Sequence, residues 1–214
     1  MKKELISMTV LFWVLGLSIC LGQSPRYATA MKSDLQLMQE AKTMQDFNRV
    51  SAAFSRIGHA EKTLWVPFYY AALSKLNGAM RDQSVDKDKI GEEVDSLLAQ
   101  AEMLEKNSEL TTLHYYNEIL KMSVNPQARY MEAAPLLEQY YQTAVAQDSV
   151  NPRIYFMKGQ TVFHTPESFG GGKKAAEPIF EKSVKYFELQ DTTAGFTPRW
   201  GKQQAEAMLQ MCKE

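Results

Sequence analysis

From Ser24 to the C-terminus the apolar residues of this chain recur every third and fourth position, and no segment alternates polar with apolar for long enough to build a sheet. That periodicity puts apolar side chains on one stripe of a helix and confines the chain to an all-α fold. Breakers cut the pattern at Gly58-His59, Gly78 with the polar run to Lys89, Asn107-Ser108, Asn125-Pro126, Asn151-Pro152, Gly170-Gly171-Gly172, and Gly195 with Pro198. The predicted helices are roughly 25–43, 45–58, 64–79, 89–106, 109–122, 126–148, 152–164, 172–189 and 198–212. Pro126 and Pro152 suit first turns, where a missing N–H is no loss, so Asn125 and Asn151 become the expected N-caps. Pro135 falls inside the sixth helix and is expected to bend it or mark a later start. Short connections make successive helices antiparallel, and hairpins of this kind bury their faces only by stacking.

The N-terminus is a separate element. Lys2 and Lys3 precede an almost uncharged run from Leu5 to Leu21, and small residues at Cys20 and Gly22 suit signal peptidase. The expected organisation is a signal peptide over 1–22 and a helical domain over 23–214, with export to the periplasm or another extracytoplasmic site. A retained anchor is the first alternative, although the run is short of the roughly 20 apolar residues of a spanning helix. A lipid on Cys20 is the second, although Ile19 stands where a lipobox requires Gly, Ala or Ser. Removing residues 1–22 lowers the basic count from 24 to 22 and the acidic count from 25 to 24, a formal charge of −2. Such a balance gives no footprint for nucleic acid. Only Cys212 then remains, so no internal disulfide is available and the hydrophobic core must hold the fold.

Residues 152–188 carry the most specific internal pattern. Tyr155 precedes Gly159 by four residues in one helix, and Ala176 precedes Phe180 by four in the next, with Ser183 as another small residue. This segment resembles one tetratricopeptide repeat, in which small residues let two helices approach while aromatics fill the space beside them. Weaker echoes occur at Tyr116 with Leu137, Tyr141 and Ala144, at Phe68 and Ala72 with Val94, Leu98 and Ala101, and at Val50, Phe54 and Ile57. The Thr165-Pro166 and Phe169-Gly170-Gly171-Gly172 insertion is similar to loops of tetratricopeptide-like proteins exported by Bacteroidetes-type bacteria. The resemblance implies an α-solenoid of antiparallel helix pairs with a C-terminal capping helix. It also implies a concave groove lined by the first helix of each pair, with Tyr69, Leu73, Leu113, Asn117, Lys121, Arg153, Phe156 and Gln160 as the groove-facing candidates.

No residue set reads as a catalytic or metal centre. His59, His114 and His164 lack zinc-site spacing, and the carboxylates of Glu92-Glu93-Asp95 and Glu102-Glu105 alternate with apolar positions as a solvated helix face does. The Gly170–Lys174 stretch fails the phosphate-loop pattern, since Glu167 replaces the leading Gly and Lys174 the metal-holding Ser or Thr, and is expected to be a flexible hairpin. The expectation is therefore a non-enzymatic extracytoplasmic scaffold, without cofactor or metal, that holds a protein or peptide partner in the groove. The alternative is a small-molecule binding protein assisting envelope transport. A closed apolar pocket near Tyr69 and Phe156 would favour the alternative, and an open polar trough would count against it.

Overall fold

A computed structural model describes residues 25–191 and 195–214, so the expected signal segment lies outside the described residues. Among them are nine α-helices, one short 3-10 turn and no strand. The helices are α1 (Pro25–Glu40), α2 (Met44–Glu61), α3 (Val66–Arg81), α4 (Lys87–Glu102), α5 (Ser108–Met122), α6 (Pro126–Gln147), α7 (Pro152–His164), α8 (Lys173–Leu189) and α9 (Lys202–Lys213). None is long and apolar enough to cross a membrane.

Side-chain caps set most of the starts. Asp86, Asn107, Asn125 and Asn151 each accept a backbone N–H from the first turn of the following helix, satisfying donors that have no intrahelical partner. Thr43 and Asp46 form a reciprocal capping box at α2, with the Asp46 amide 3.2 Å from Thr43 Oγ1 and the Thr43 amide 3.0 Å from Asp46 Oδ2. This box ends α1 at Glu40, earlier than the apolar period alone indicates. Helix α6 runs unbroken through Pro135, which is exposed, so water can satisfy the carbonyl that the proline leaves without a donor.

Each helix packs on its sequence neighbour, and α3 with α5 and α5 with α7 also touch, giving a solenoid-like array whose odd-numbered helices form the inner layer. Two apolar clusters fill it, one from α1 to α5 and one from α5 to α9, joined through α5. The residues of the 152–188 pattern do the packing expected of them. A Cβ built on Gly159 would lie 2.6 Å from the Phe180 ring, and Tyr155, Ala176, Phe180 and Ser183 are buried. Of the weaker echoes, Val50, Phe54, Phe68, Ala72, Val94, Leu98, Ala101, Leu137 and Ala144 are buried, whereas Ile57, Tyr116 and Tyr141 are half-buried.

Candidate ligand-binding surfaces

The inner layer does not present an open groove. After α8 the chain turns back, and residues 195–201 cross the faces of α1, α3, α5 and α7. Phe196 packs edge-on against Tyr27 at 5.4 Å. Tyr70 donates to the Thr197 carbonyl at 3.3 Å, and Arg153 donates to the carbonyl of Pro198 and, at 3.0 Å, to Gln190 Oε1. Trp200 lies within 6.3 Å of Phe156 and 6.5 Å of Tyr116, ring centre to ring centre, and its Nε1 donates to the Tyr69 hydroxyl at 2.7 Å. Gly201 closes the segment at φ +105°, a left-handed conformation that suits glycine, against the edge of Phe187.

Beneath this strap runs a buried polar chain. The Tyr69 hydroxyl donates to Glu109 at 3.2 Å, and Glu109 pairs with Arg153 at 3.1 Å. Arg153 is 0% exposed, and its guanidinium lies over the rings of Phe187 and Trp200 at 5.6 and 5.9 Å. Burial holds the Glu109 carboxyl above its ordinary value, although Arg153 pulls the other way. Burial likewise raises Tyr69 and Tyr70, and lifts Tyr116 to about 12, so these phenols stay protonated.

The eight groove candidates therefore have four different settings. Tyr69, Arg153 and Phe156 come together under the strap around Trp200. Leu73 and Leu113 are fully buried core. Asn117 and Lys121 turn towards α4, where Asn117 donates to the Gly91 carbonyl and Asp95 and Lys121 pairs with Asp95 at 2.5 Å. Gln160 is half-buried at the far end of α7. The residues that sequence reasoning missed are Glu109, Tyr116, Phe196 and Trp200. The two aromatics of the Phe196–Trp200 stretch were a usable signal, being rich in apolar surface for a helix connection.

The insertion before α8 is pinned rather than a flexible hairpin. The amides of Gly170, Gly171 and Gly172 donate to Glu167, Pro166 and Val162 carbonyls, which leaves none of the three for an anion. His114 bonds Glu102 at 3.0 Å and stacks on Tyr140, whereas His59 and His164 are exposed. Among the described residues no three His, Cys, Asp or Glu side chains converge as a metal site.

Two depressions remain on the outside. One is a cleft of about 470 Å³ between α1 and α2, with Ala41, Val50 and Ala53 beside Leu37 and a charged rim of Asp34, Glu40, Lys42, Asp46, Arg49 and Arg56. Its volume is that of a small-molecule site. The other, about 320 Å³, crosses α3 and is lined by Ala52 and Leu97 together with Ser51, Ser55 and Ser96, with the Lys75–Glu93 ion pair at 2.6 Å.

No protein-family profile matches the chain, and no curated protein matches it in sequence. A solved structure does: the HusA haemophore from Porphyromonas gingivalis superposes with a TM-score of 0.80 at 32% identity, covering 90% of this chain and 96% of that one. This similarity, together with the closed inner layer, corrects the expectation of a scaffold that holds a protein or peptide in an open groove. The relative that shares this fold is a haemophore, and the groove is occupied by the chain's own residues 195–201.

Proposed function

We propose, from the premise that this chain belongs to the family of the HusA haemophore, that it is an exported protein which binds haem and carries it without altering it chemically. The observation that carries the reading is the shared fold at 32% identity over nearly the whole of both chains. Neither the closed apolar pocket nor the open polar trough that would discriminate the two readings occurs near Tyr69 and Phe156, because Trp200 fills that space. The close approach of Gly159 and Phe180 supports reading the helix pairs as tetratricopeptide-like, here serving as the frame of a small-molecule carrier.

The test is a titration of ferric haem into the purified chain, followed at the Soret band. A saturable shift with about one haem per chain and a dissociation constant in the micromolar range or below is expected. Mass spectrometry of the extracted pigment then returns intact haem. A spectrum that matches haem in buffer at every ratio refutes the reading, and a degraded macrocycle refutes the carrier role.

A further inference from the structure

We propose that haem seats on the outer seam between α6 and α8, with the macrocycle against Tyr141 and Tyr186 and its propionates on Lys158 and Lys182; this rests on the haem-binding reading above. The seam lies where the array is loosest. Helix α6 packs closely on α5 and barely on α7, so the outward side of α7 is reached between the two outer helices. Tyr155 and Lys158 stand three residues apart on α7, and Lys182 and Tyr186 four apart on α8, so each pair shares one face of its helix. Tyr141 of α6 meets Tyr155 edge-on with ring centres 5.9 Å apart, and Tyr186 lies 5.3 Å from Tyr155 on the other side. Tyr155 is buried, whereas Tyr141 and Tyr186 are half-buried. One turn along the same faces, Val162 and Ile179 are half-buried members of the same apolar cluster. Large rings that keep an open edge lose water when a flat apolar molecule covers them.

The charge above this aromatic bed is positive and only half neutralised. Lys158 lies over the Tyr141 ring at 5.2 Å and pairs with Glu138 at 2.7 Å, and Glu138 also accepts from Gln142 at 2.6 Å. Lys182 lies over Tyr155 at 4.4 Å and Tyr186 at 5.8 Å, and among the described residues it pairs with no carboxylate. A hydrogen bond to the Tyr155 hydroxyl raises the Lys182 ammonium above its ordinary value, so it stays charged. Haem is a flat apolar plate with two carboxylates on one edge, which is the complement of two cations beside a row of rings. The lysines fill the seam as it stands. A lysine head on its flexible stem can turn outward to a carboxylate and uncover the ring beneath, and the cation–π contacts it gives up at such an exposed site are weak. The other surfaces fit less well. Residues 195–201 fill the inner layer, the cleft between α1 and α2 is ringed by charge with Leu37 as its one large apolar side chain, and the lysine of the depression across α3 is already neutralised by Glu93.

The experiment compares the full chain with Lys158→Ala/Lys182→Ala, with Tyr141→Ala/Tyr186→Ala, and with the control Arg49→Ala/Arg56→Ala, each verified as folded by circular dichroism. If the double tyrosine variant does not fold, Tyr186→Ala alone replaces it. Ferric haem and its dimethyl ester, whose propionates carry no charge, are titrated into each. The lysine variant should bind haem about tenfold more weakly, and the ester as well as the wild type does or better, because its rings are uncovered. Its haem affinity should also depend less on salt. The tyrosine variant should weaken both ligands by about tenfold or more, and the arginine control should stay within about twofold of the wild type. A lysine variant that loses haem and ester alike overturns the propionate contacts. Haem binding that survives both seam variants, or that is lost only in the arginine control, overturns the seat while leaving the haem reading intact. Absence of any Soret shift with the wild type overturns both.

Discussion

Replacing Arg153 with Met tests whether the inner layer is held shut by the polar chain under the strap. Methionine keeps the apolar stem in place but removes the guanidinium, which donates to Glu109, Gln190 and the Pro198 carbonyl. Glu109 then remains largely buried, keeping the Tyr69 hydroxyl at 3.2 Å and the Asn151 side chain as partners but losing its paired cation. Removing one partner of a buried ion pair costs about 3–5 kcal/mol, and the lower end applies because the Glu109 side chain keeps 17% of its exposure. In a chain of this size each kcal/mol lowers the melting temperature by about 2–4 °C, so the variant should melt about 6–12 °C below the wild type.

The loss also carries a pH signature. Burial already raises the Glu109 carboxyl above its ordinary value of 4.5, and a raised folded value means that its favourable contribution is complete below 4.5 and lost as the pH rises through the folded value. Without Arg153 that folded value climbs further, so the deficit of the variant should widen between about pH 4 and pH 7. Adding Glu109→Gln removes the uncompensated charge and should recover more than about half of the loss, with a flat pH dependence. Thermal melts followed at 222 nm measure all of this. A variant that melts within about 2 °C of the wild type, or a double variant no better than the single one, refutes the account of the buried pair.

Gly159→Ala puts a methyl group against the Phe180 ring, and overpacking of about 1–3 kcal/mol should outweigh a helix-propensity gain of about 1 kcal/mol; urea unfolding should show net destabilisation, relieved by Phe180→Leu in the double variant. Trp200→Phe keeps the ring contacts but loses the Nε1 donor to Tyr69, and should lower stability by about 1 kcal/mol, read from the same urea midpoint. Bonds from Thr43, Arg49 and the Lys42 amide hold the Asp46 carboxyl well below 3.8, so its contribution is present above that pH and fades as the pH falls beneath it. Accordingly, Asp46→Ala should melt below the wild type at about pH 6 and converge with it towards pH 2.

The fold was legible because its signals are local. Helical period, asparagine caps and prolines at first turns operate within a few residues, and eight of the expected helix starts fall within two residues of the observed ones. The departures have local causes too. Thr43 and Asp46 satisfy the capping-box pattern, a signal present in the sequence but outweighed there by the apolar period, and they end α1 before residue 43. The ninth helix is expected from 198 because the Gly195 and Pro198 breaker ends there, yet Gly201 at φ +105° holds the preceding residues out of the helix, and α9 starts at Lys202.

The functional surface was less legible because its determinants are distant in sequence. A solenoid analogy assigns the first helix of each pair to an open groove, and that holds only while nothing else in the chain covers it. Here Trp200 finds Tyr69 across 131 residues, and Tyr70 finds Thr197 across 127. No periodicity encodes such pairings, and the aromatics predicted to meet a ligand meet the strap instead. Helix α1 stands at one end of the array. It packs on α2, with no further helix stacked beyond it among the described residues, and its Leu37 stays uncovered where an interior helix of the array would have buried it. Leu37 is not alone, since Met103, Met131, Phe169 and Leu189 are more exposed still and lie elsewhere along the array, so an uncovered apolar side chain does not by itself mark where a ligand sits.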